Sequence, residues 1–311
     1  MKRTRRTLWW MVAGPAVVLA AIMLEAFPFL AITEPSGGKV LVVEGWMDPG
    51  ALREAAQLVL DSGYTRVYST GTVRAFAYYL EPGQGISVEP HDTLSGKVDI
   101  NVSGTTHAGF LLIADGETVL DQAVTPHPRN YHAVLPRTAE RIRVVAWPIH
   151  ADPGTPVIYV AGCNVNGANI NLLQQRSWFT RPDSPAAPAW PTYAQSARDA
   201  LIRAGVPSGM VTAVPAYGTP RSRTWGNANA FGIQARQDGI PAFDVATVGV
   251  HARRSRNLFQ AACGPEVHVG VVALTDPFCT KANWWRSYRG WYTMLKEVVG
   301  APELKAVELT R

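Results

Sequence analysis

A histidine and several arginines follow directly on a predicted strand, and this junction suggests the chemistry of the chain most strongly. The apolar run from Phe243 to Val250 is typical of a buried parallel strand, and a helix is expected to begin near His251. A helix N-terminus favours anions, and the guanidinium groups of Arg253 and Arg254 suit phosphate or carboxylate. His251 is the candidate catalytic acid or base, because histidine titrates near neutral pH. The alternative is a solvated basic helix start in which His251 caps the helix or packs against it.

Other candidate ligand-binding residues stand where further predicted strands end or helices begin. Ligands of open α/β sheets bind at the carboxyl ends of the strands, and Gly45 and Gly71 end the first two strands. Both are equally well explained as turn glycines, and Thr224 as a helix N-cap. Trp285 with Arg286 is a candidate cover for a sugar or base ring, although aromatic residues at helical spacing are usually core. The candidate ligand-binding residues are Gly45, Trp46, Ser69, Thr70, Gly71, Arg223, Thr224, Asn227, Arg253, Arg254, Trp285 and Arg286.

Composition and missing motifs exclude several classes of protein. The chain has 311 residues, 47% of them hydrophobic, with a formal net charge of +5, and no long basic block that would indicate a nucleic-acid partner. It lacks the GxSxG, P-loop and GxGxxG patterns, which disfavours serine hydrolases, P-loop NTPases and ordinary dinucleotide dehydrogenases. No CxxC or HExxH pattern supports a zinc site. Cys263 and Cys279 could pair in an oxidising compartment, which the sequence leaves open.

The N-terminal segment predicts a membrane anchor. Basic residues precede an apolar run from Leu8 to Leu24, and the stretch is long enough to cross a bilayer as a helix. Basic residues before the run place the N-terminus in the cytoplasm and the rest of the chain outside. Residues 1–33 are therefore expected to be a cytoplasmic tip and an uncleaved transmembrane signal anchor, with a cleaved signal peptide as the alternative.

The remaining chain alternates between two patterns. A strand–helix–strand unit is predicted over residues 38–75, and the same rhythm returns over residues 189–311. Between them, residues 76–188 form short alternating strands with a hairpin turn at Asp115-Gly116 and end in a proline-rich linker. The expected fold class is α/β: a Rossmann-like parallel sheet of about five strands with helices on both faces, interrupted by an all-β sandwich-like insert.

The α/β part resembles the ElyC/SanA/YdcF family, the domain of unknown function numbered 218. The resemblance lies in Val40–Trp46, Thr192–Asp199, Arg223–Asn227, His251–Ser255 and Trp284–Ser287, in family order. It implies a Rossmann-like fold, often on a bacterial membrane anchor, and a role in envelope integrity or peptidoglycan metabolism. One branch of the family is associated with S-adenosylmethionine. The chain departs from the family at Thr219–Thr224, which is basic and lacks the usual carboxylate.

The insert resembles, more loosely, a calcium-dependent xylan-binding carbohydrate-binding module. The resemblance lies in Val102–Gly109, in the Asp115-Gly116 turn and in the alternating strands. It implies a calcium ion held by carboxylates and carbonyl oxygens, for which Asp115 and Asp152 are the candidate ligands. The usual ligand run is not intact, and a degenerate structural insert is the alternative.

Together these features predict an envelope protein in the bacterial inner membrane, with its bulk in the periplasm. The α/β part would bind a phosphorylated or nucleotide-like glycan precursor, and the insert would hold polysaccharide nearby. If the protein is an enzyme, hydrolysis or transfer at a phosphoester is expected, with His251 as acid or base. The alternatives are a non-catalytic glycan-binding scaffold and an S-adenosylmethionine-binding protein.

Overall fold

The computed structural model describes residues 25–74, 77–152, 155–170, 176–182, 184–217, 222–277 and 279–299. Its helices are α1 (described over residues 25–30), α2 (Pro49–Ser62), α3 (Tyr193–Arg203), α4 (Arg223–Gln237), α5 (Ala252–Cys263) and α6 (Tyr288–Val299). Its strands are β1 (Val40–Glu44), β2 (Arg66–Thr72), β3 (Tyr78–Leu80), β4 (Gly85–Glu89), β5 (Leu94–Gly104), β6 (Gly109–Ala114), β7 (Glu117–Ala123), β8 (Arg129–Ala139), β9 (Ile142–Ala146), β10 (Ile158–Val165), β11 (Ala168–Asn169), β12 (Arg176–Arg181), β13 (Ser184–Pro188), β14 (Val211–Ala216), β15 (Ala242–Val248) and β16 (His268–Leu274).

Five of these strands form one sheet in the order β14-β2-β1-β15-β16. The pairs β1·β15 and β15·β16 are parallel, and Leu41 lies opposite Asp244. All five residues of β1 are buried, which is why this strand lacks a polar–apolar alternation. Asp48 caps the N-terminus of α2, since its Oδ1 accepts from the backbone N–H groups of Gly50 and Ala51 at 2.8 and 3.2 Å.

Two antiparallel sheets occupy the stretch between β2 and α3. One has the order β11-β10-β5-β8, with β3 also paired to β10, and the other the order β13-β12-β4-β9-β6-β7. Both contribute to a single hydrophobic core, in which Ile86, Ile100, Phe110 and Leu112 have no exposed surface. The two sheets therefore pack face to face as a sandwich.

The sandwich leaves and rejoins the rest of its unit at one place. Val73, just after β2, forms an antiparallel bridge with Thr192, just before α3. The Arg74 N–H also donates to the carbonyl of Pro191 at 2.8 Å. The two ends of the inserted segment thus lie side by side.

The chain divides into two compact units. The first holds described residues 25–43, 57–67 and 228–299, and its core includes the packed rings of Phe231, Phe243 and Phe259. The second holds the described residues of 44–56 and 68–227, including the whole sandwich.

The expected fold class is wrong. The described chain is a mixed fold, because the antiparallel strands of two further sheets outnumber the strands of the helix-bearing sheet. No helix of the described residues has both the length and the apolar character needed to cross a membrane. The apolar run from Leu8 to Leu24, on which the anchor was predicted, lies outside the described residues.

Candidate functional site

The predicted glycines at the sheet edge are surrounded by backbone of their own unit. A Cβ atom on Gly71 would lie 2.4 Å from the Ala194 nitrogen, and one on Gly45 would lie 2.5 Å from the Tyr193 carbonyl oxygen. The Gly45 N–H donates to the Thr70 carbonyl at 2.7 Å. The structure therefore brings Gly45, Thr70 and Gly71 together, and both glycines allow the start of α3 to approach the strand ends.

The hydroxyl beside these glycines has a partner in the protein. Ser69 is fully buried, and its Oγ donates to the Ala194 carbonyl oxygen at 2.8 Å. Thr70 is also fully buried, and Trp46 is half-buried. The Ser69 hydroxyl thus stabilises the junction between β2 and α3, a role that the strand pattern alone did not reveal.

Two predicted residues at the start of α4 are buried and one is exposed. Asn227, 1% exposed, donates from Nδ2 to Glu44 Oε1 at 3.5 Å, and among the described residues its Oδ1 has no hydrogen-bond partner. Thr224 is buried, whereas Arg223 is exposed. The helix is capped by Ser222, whose Oγ accepts from the Trp225 N–H at 3.3 Å, so the N-cap interpretation of Thr224 is wrong.

His251 belongs to a buried charged cluster that joins the start of α5 to α6. Its Nδ1 lies 2.8 Å from Glu297 Oε1, and the Glu297 carboxylate is fully buried. Arg254 donates from Nε to Glu297 Oε2 at 2.6 Å and from Nη2 to Oε1 at 3.2 Å. Bidentate guanidinium–carboxylate geometry of this kind is the strong form of an ion pair. The structure thus brings His251 and Arg254 together through a third residue that the sequence analysis did not name.

The charge state of this cluster is set by competing effects on Glu297. Burial raises the pKa of the carboxyl, but the hydrogen bonds from His251 and Arg254 and their charges outweigh burial and lower it to about 2. A carboxylate on Nδ1 fixes the orientation and tautomer of the imidazole, as a general base requires. The same carboxylate also holds Arg254, so the cluster fastens α6 to α5 whether or not it performs catalysis.

The predicted ligand-binding residue Arg253 and its neighbour Arg256 also contact groups of their own unit. Arg253 donates to the Phe29 carbonyl, and its guanidinium carbon lies 4.1 Å from the centre of the Phe29 ring. Arg256 contacts Glu34 Oε2 at 2.5 Å and the Val269 carbonyl at 3.1 Å. Arg253 and Arg254, the arginines of this helix that were expected to bind a phosphate, therefore each contact a group of the protein itself.

The remaining predicted residues stand apart from these clusters. Trp285 is exposed, and the guanidinium carbon of Arg286 lies 4.8 Å from its ring centre. Asp115 is in a hairpin turn at φ 45°, where its carboxylate accepts from the backbone N–H groups of Glu140 and Arg141. Asp152 is exposed, and the described residues contain no group of three or more acidic, histidine or cysteine side chains that could hold a metal ion. The three cysteines are free thiols, so Cys263 and Cys279 are not paired.

A polar sheet surface, which the sequence analysis missed, covers the outer side of the four strands β11-β10-β5-β8. The register places Asn169, Asn164, Asp99 and His132 opposite one another in one row across all four strands. A neighbouring row contains Asn101, whose Nδ2 donates to Asn130 Oδ1 at 2.6 Å. We call this surface the amide face; it consists of Lys97, Asp99, Asn101, Asn130, His132, Asn164 and Asn169.

The charges on the amide face largely offset one another. Lys97 Nζ lies 3.0 Å from Asp99 Oδ1, and His132 Nδ1 contacts the same carboxylate oxygen. The hydrogen bonds from Lys97 and His132 lower the pKa of Asp99. Asn169 Nδ2 donates to Asn164 Oδ1 at 3.1 Å, and both side chains retain further donor or acceptor capacity. The surface therefore presents amide donors and acceptors at little net charge.

A groove adjoins the amide face at Asn169. Its volume is about 570 Å³, and its walls come from the β4–β5 connection and from the end of β10 through β11. Among its lining residues, Asn166 holds both walls together, since its Oδ1 accepts from the Lys97 N–H at 2.9 Å and its Nδ2 donates to the Ser95 carbonyl at 2.7 Å. The lining also includes the polar side chains of His91, Asp92, Ser95 and Asn169.

The sequence carried one usable signal for the amide face. Val98, Ile100 and Val102 are fully buried, while the residues between them are polar and point to the other side of the strand. That alternation identifies a polar outward face on β5. Its alignment with the polar residues of β8, β10 and β11 depends on pairing register, which one strand's pattern does not contain.

Comparisons with known proteins show little similarity. No protein-family model matches the chain, and no curated protein matches it. Among solved structures, the chain is similar to a C-terminal domain of EclA, described as a sugar-binding protein, at 12% identity and a TM-score of 0.21, covering 30% of this chain and 78% of that one. It is also similar to a family two carbohydrate esterase from Clostridium thermocellum in complex with cellohexaose, at 10% identity and a TM-score of 0.22, covering 74% of this chain and 94% of that one. Both TM-scores are too low to show a shared fold.

Proposed function

We propose that the protein binds glycans and that the amide face of the sandwich, with its adjoining groove, holds an uncharged polysaccharide. The observation that carries this proposal is the row of amide, carboxylate and imidazole groups that crosses four neighbouring strands. Sugar hydroxyls both donate and accept hydrogen bonds, and side-chain amides present both functions at fixed positions. A row of such groups on a rigid sheet suits an extended chain of sugar units.

Charge decides between an uncharged and a phosphorylated glycan. Asp99 is balanced by Lys97 and His132, and the other members of the amide face are neutral asparagines. A phosphorylated ligand needs uncompensated cations, and the guanidinium groups of Arg254 and Arg256 are paired with the carboxylates of Glu297 and Glu34. The phosphorylated precursor predicted from the sequence therefore has less support than a neutral polysaccharide.

The expected result is that Asn101→Ala with Asn164→Ala weakens retention of the full chain on xylan by about tenfold or more, since each lost hydrogen bond is worth roughly 1 kcal/mol. Affinity electrophoresis in gels with and without xylan measures the effect. The same variants are tested for sedimentation with purified peptidoglycan. Repeating both assays with a calcium chelator checks the calcium dependence that the sequence suggested.

The matched control is Thr118→Ala with Gln122→Ala on β7, an edge strand of the opposite sheet. Both residues are exposed, so this control removes polar surface of similar size without touching the amide face. Equal loss of retention in the two double variants would refute binding at the amide face. If neither xylan nor peptidoglycan retains the wild-type chain or the control variant, the proposed ligand class is refuted.

We further propose that the chain is related to the ElyC/SanA/YdcF family and acts outside the cytoplasm, in the cell envelope. The support is the sequence: the family-like segments stand at β1 and at the starts of α3, α4 and α5, and a basic tip precedes an apolar run at the N-terminus. An alkaline phosphatase reporter fused to the C-terminus in a bacterial host is expected to be active, because that enzyme requires an oxidising exterior. An inactive reporter on a fully expressed fusion would contradict the location.

A further inference from the structure

An exposed aromatic surface lies on α6 and just before it. Its residues belong neither to the amide face nor to the cluster of His251, Arg254 and Glu297. Among the described side chains of α6, only Gly290, Met294 and Glu297 are buried, and they form one narrow strip at helical spacing. Tyr288 is 85% exposed and Leu295 is 56% exposed. We call the surface the α6 face; it consists of Trp285, Tyr288, Trp291, Tyr292, Leu295 and Val298.

The rings of the α6 face are ordered against one another. Tyr288 and Tyr292 stack with their centres 6.3 Å apart. The Trp291 indole N–H donates to the Trp285 carbonyl at 3.0 Å, and its ring packs on the buried Trp284 at 5.0 Å. An exposed apolar face of this kind normally marks an interaction surface.

Close to the α6 face in the sequence, the exposed charged residues are all basic. Lys281, Arg286, Arg289 and Lys296 are all exposed. The only acidic residue in the sequence from 281 to 298 is Glu297, which is buried against His251 and Arg254. The surface is therefore complementary to an anionic partner.

The position of the α6 face in its unit agrees with a lipid partner. Residues of α1, among them Ala26 and Phe27, pack on a cluster that includes Trp284 and Met294. The sequence immediately before α1 is the apolar run from Leu8 to Leu24, which lies outside the described residues. The most apolar part of the sequence thus directly precedes α1.

We propose that the α6 face lies on the surface of an anionic lipid bilayer. Tryptophan and tyrosine concentrate at the membrane–water interface, and helices with an apolar aromatic side and basic flanks lie in its plane. With 12 residues, α6 is suited to lie on the bilayer and is too short to cross it. This inference does not depend on the glycan proposal, because it concerns a different unit and a different ligand.

The test uses the full chain reconstituted with vesicles of equal parts phosphatidylcholine and phosphatidylglycerol, whose acyl chains carry bromine that quenches tryptophan. Trp285→Phe with Trp291→Phe is expected to remove a measurable part of the quenching, since these two indoles would lie at the lipid surface. Trp178→Phe in the sandwich is the matched control and is expected to leave lipid quenching unchanged. Far-UV circular dichroism and thermal melting confirm that each variant is folded.

A second variant tests the role of charge. Lys281→Gln with Lys296→Gln is expected to weaken the α6 contact about fivefold per residue, because one basic side chain near an anionic surface is worth roughly 1 kcal/mol. Tryptophan quenching of the wild-type chain must also be weaker in vesicles of phosphatidylcholine alone than in the mixed vesicles.

Three results would overturn the proposal. The first is equal quenching of the wild-type chain and Trp285→Phe/Trp291→Phe in the mixed vesicles. The second is that quenching of Trp285 and Trp291 is equally strong in vesicles of phosphatidylcholine alone, which would show that the contact does not require an anionic lipid. The third is a wild-type dimer in sedimentation that Tyr292→Asp with Leu295→Asp makes monomeric, which would show that a second copy covers the α6 face.

Discussion

Glu297→Gln is expected to lower the free energy of unfolding by about 3–5 kcal/mol, the usual cost of removing one partner from a buried ion pair. The Glu297 carboxylate has no exposed surface and contacts both His251 and Arg254. A glutamine amide offers one acceptor oxygen and turns an NH₂ group toward a guanidinium or an imidazole. Urea unfolding followed by circular dichroism measures the change.

The pH dependence of the same variant gives a separate check. The carboxyl titrates near 4.5 in an unfolded chain and at about 2 in the folded protein, so its pKa is depressed by folding. A depressed carboxyl stabilises the fold above the unfolded pKa and loses this contribution as the pH falls from there through about 2. The wild-type chain should lose stability over that range, and Glu297→Gln should lose less.

Glu34→Gln provides the control for this experiment. Glu34 also pairs with an arginine, Arg256 at 2.5 Å, but its side chain is 53% exposed. Exposed pairs contribute about 0–1 kcal/mol, so this variant should unfold nearly as the wild-type chain does. Equal stability of Glu297→Gln and Glu34→Gln would mean that the buried cluster does not fasten α6.

Gly71→Ala is expected to destabilise the chain by about 3 kcal/mol, at the upper end for overpacked sites. The added Cβ would stand 2.4 Å from the Ala194 nitrogen and 2.5 Å from Tyr193 Cβ, and the backbone at the start of α3 can relieve this only by moving away from β2. The midpoint of urea unfolding measures the loss.

This variant separates two explanations of the glycine. If Gly71 served only to let a ligand approach, Gly71→Ala would keep its stability and lose ligand binding. Gly209→Ala is the matched control, because no atom beyond Gly209 and its chain neighbours lies within 4 Å of the position its Cβ would take. That control should stay within about 0.5 kcal/mol of the wild-type chain.

The local elements were largely predictable because their signals are local. The strand at Val40–Glu44 and the hairpin turn at Asp115-Gly116 are both where the sequence places them. Burial of Ser69 against Ala194 was not predictable, since it joins residues far apart in the chain. The same holds for Glu297, because its contacts with His251 and Arg254 are set by how two helices pack.

The fold class failed for a different reason. The strand–helix rhythm at Val40–Thr72 and after Tyr193 predicts the α/β class, whereas the assembly of the strands between them into two further sheets depends on pairing that a strand pattern does not contain. For the arginines at the start of α5, the sequence predicts an external anion, because contacts with distant parts of the chain leave no local signal. In the structure Arg253 and Arg256 contact Phe29 and Glu34, which lie more than two hundred positions earlier in the chain.

The bridge between Val73 and Thr192 has a consequence for how the protein acquires its structure. Until the intervening sandwich collapses, these two positions are the ends of a long flexible loop, and joining them costs considerable chain entropy. Once the sandwich is formed, its ends are already neighbours and the remaining closure is short. Folding is therefore expected to begin with the inserted strands and to end with the packing of β2 against α3.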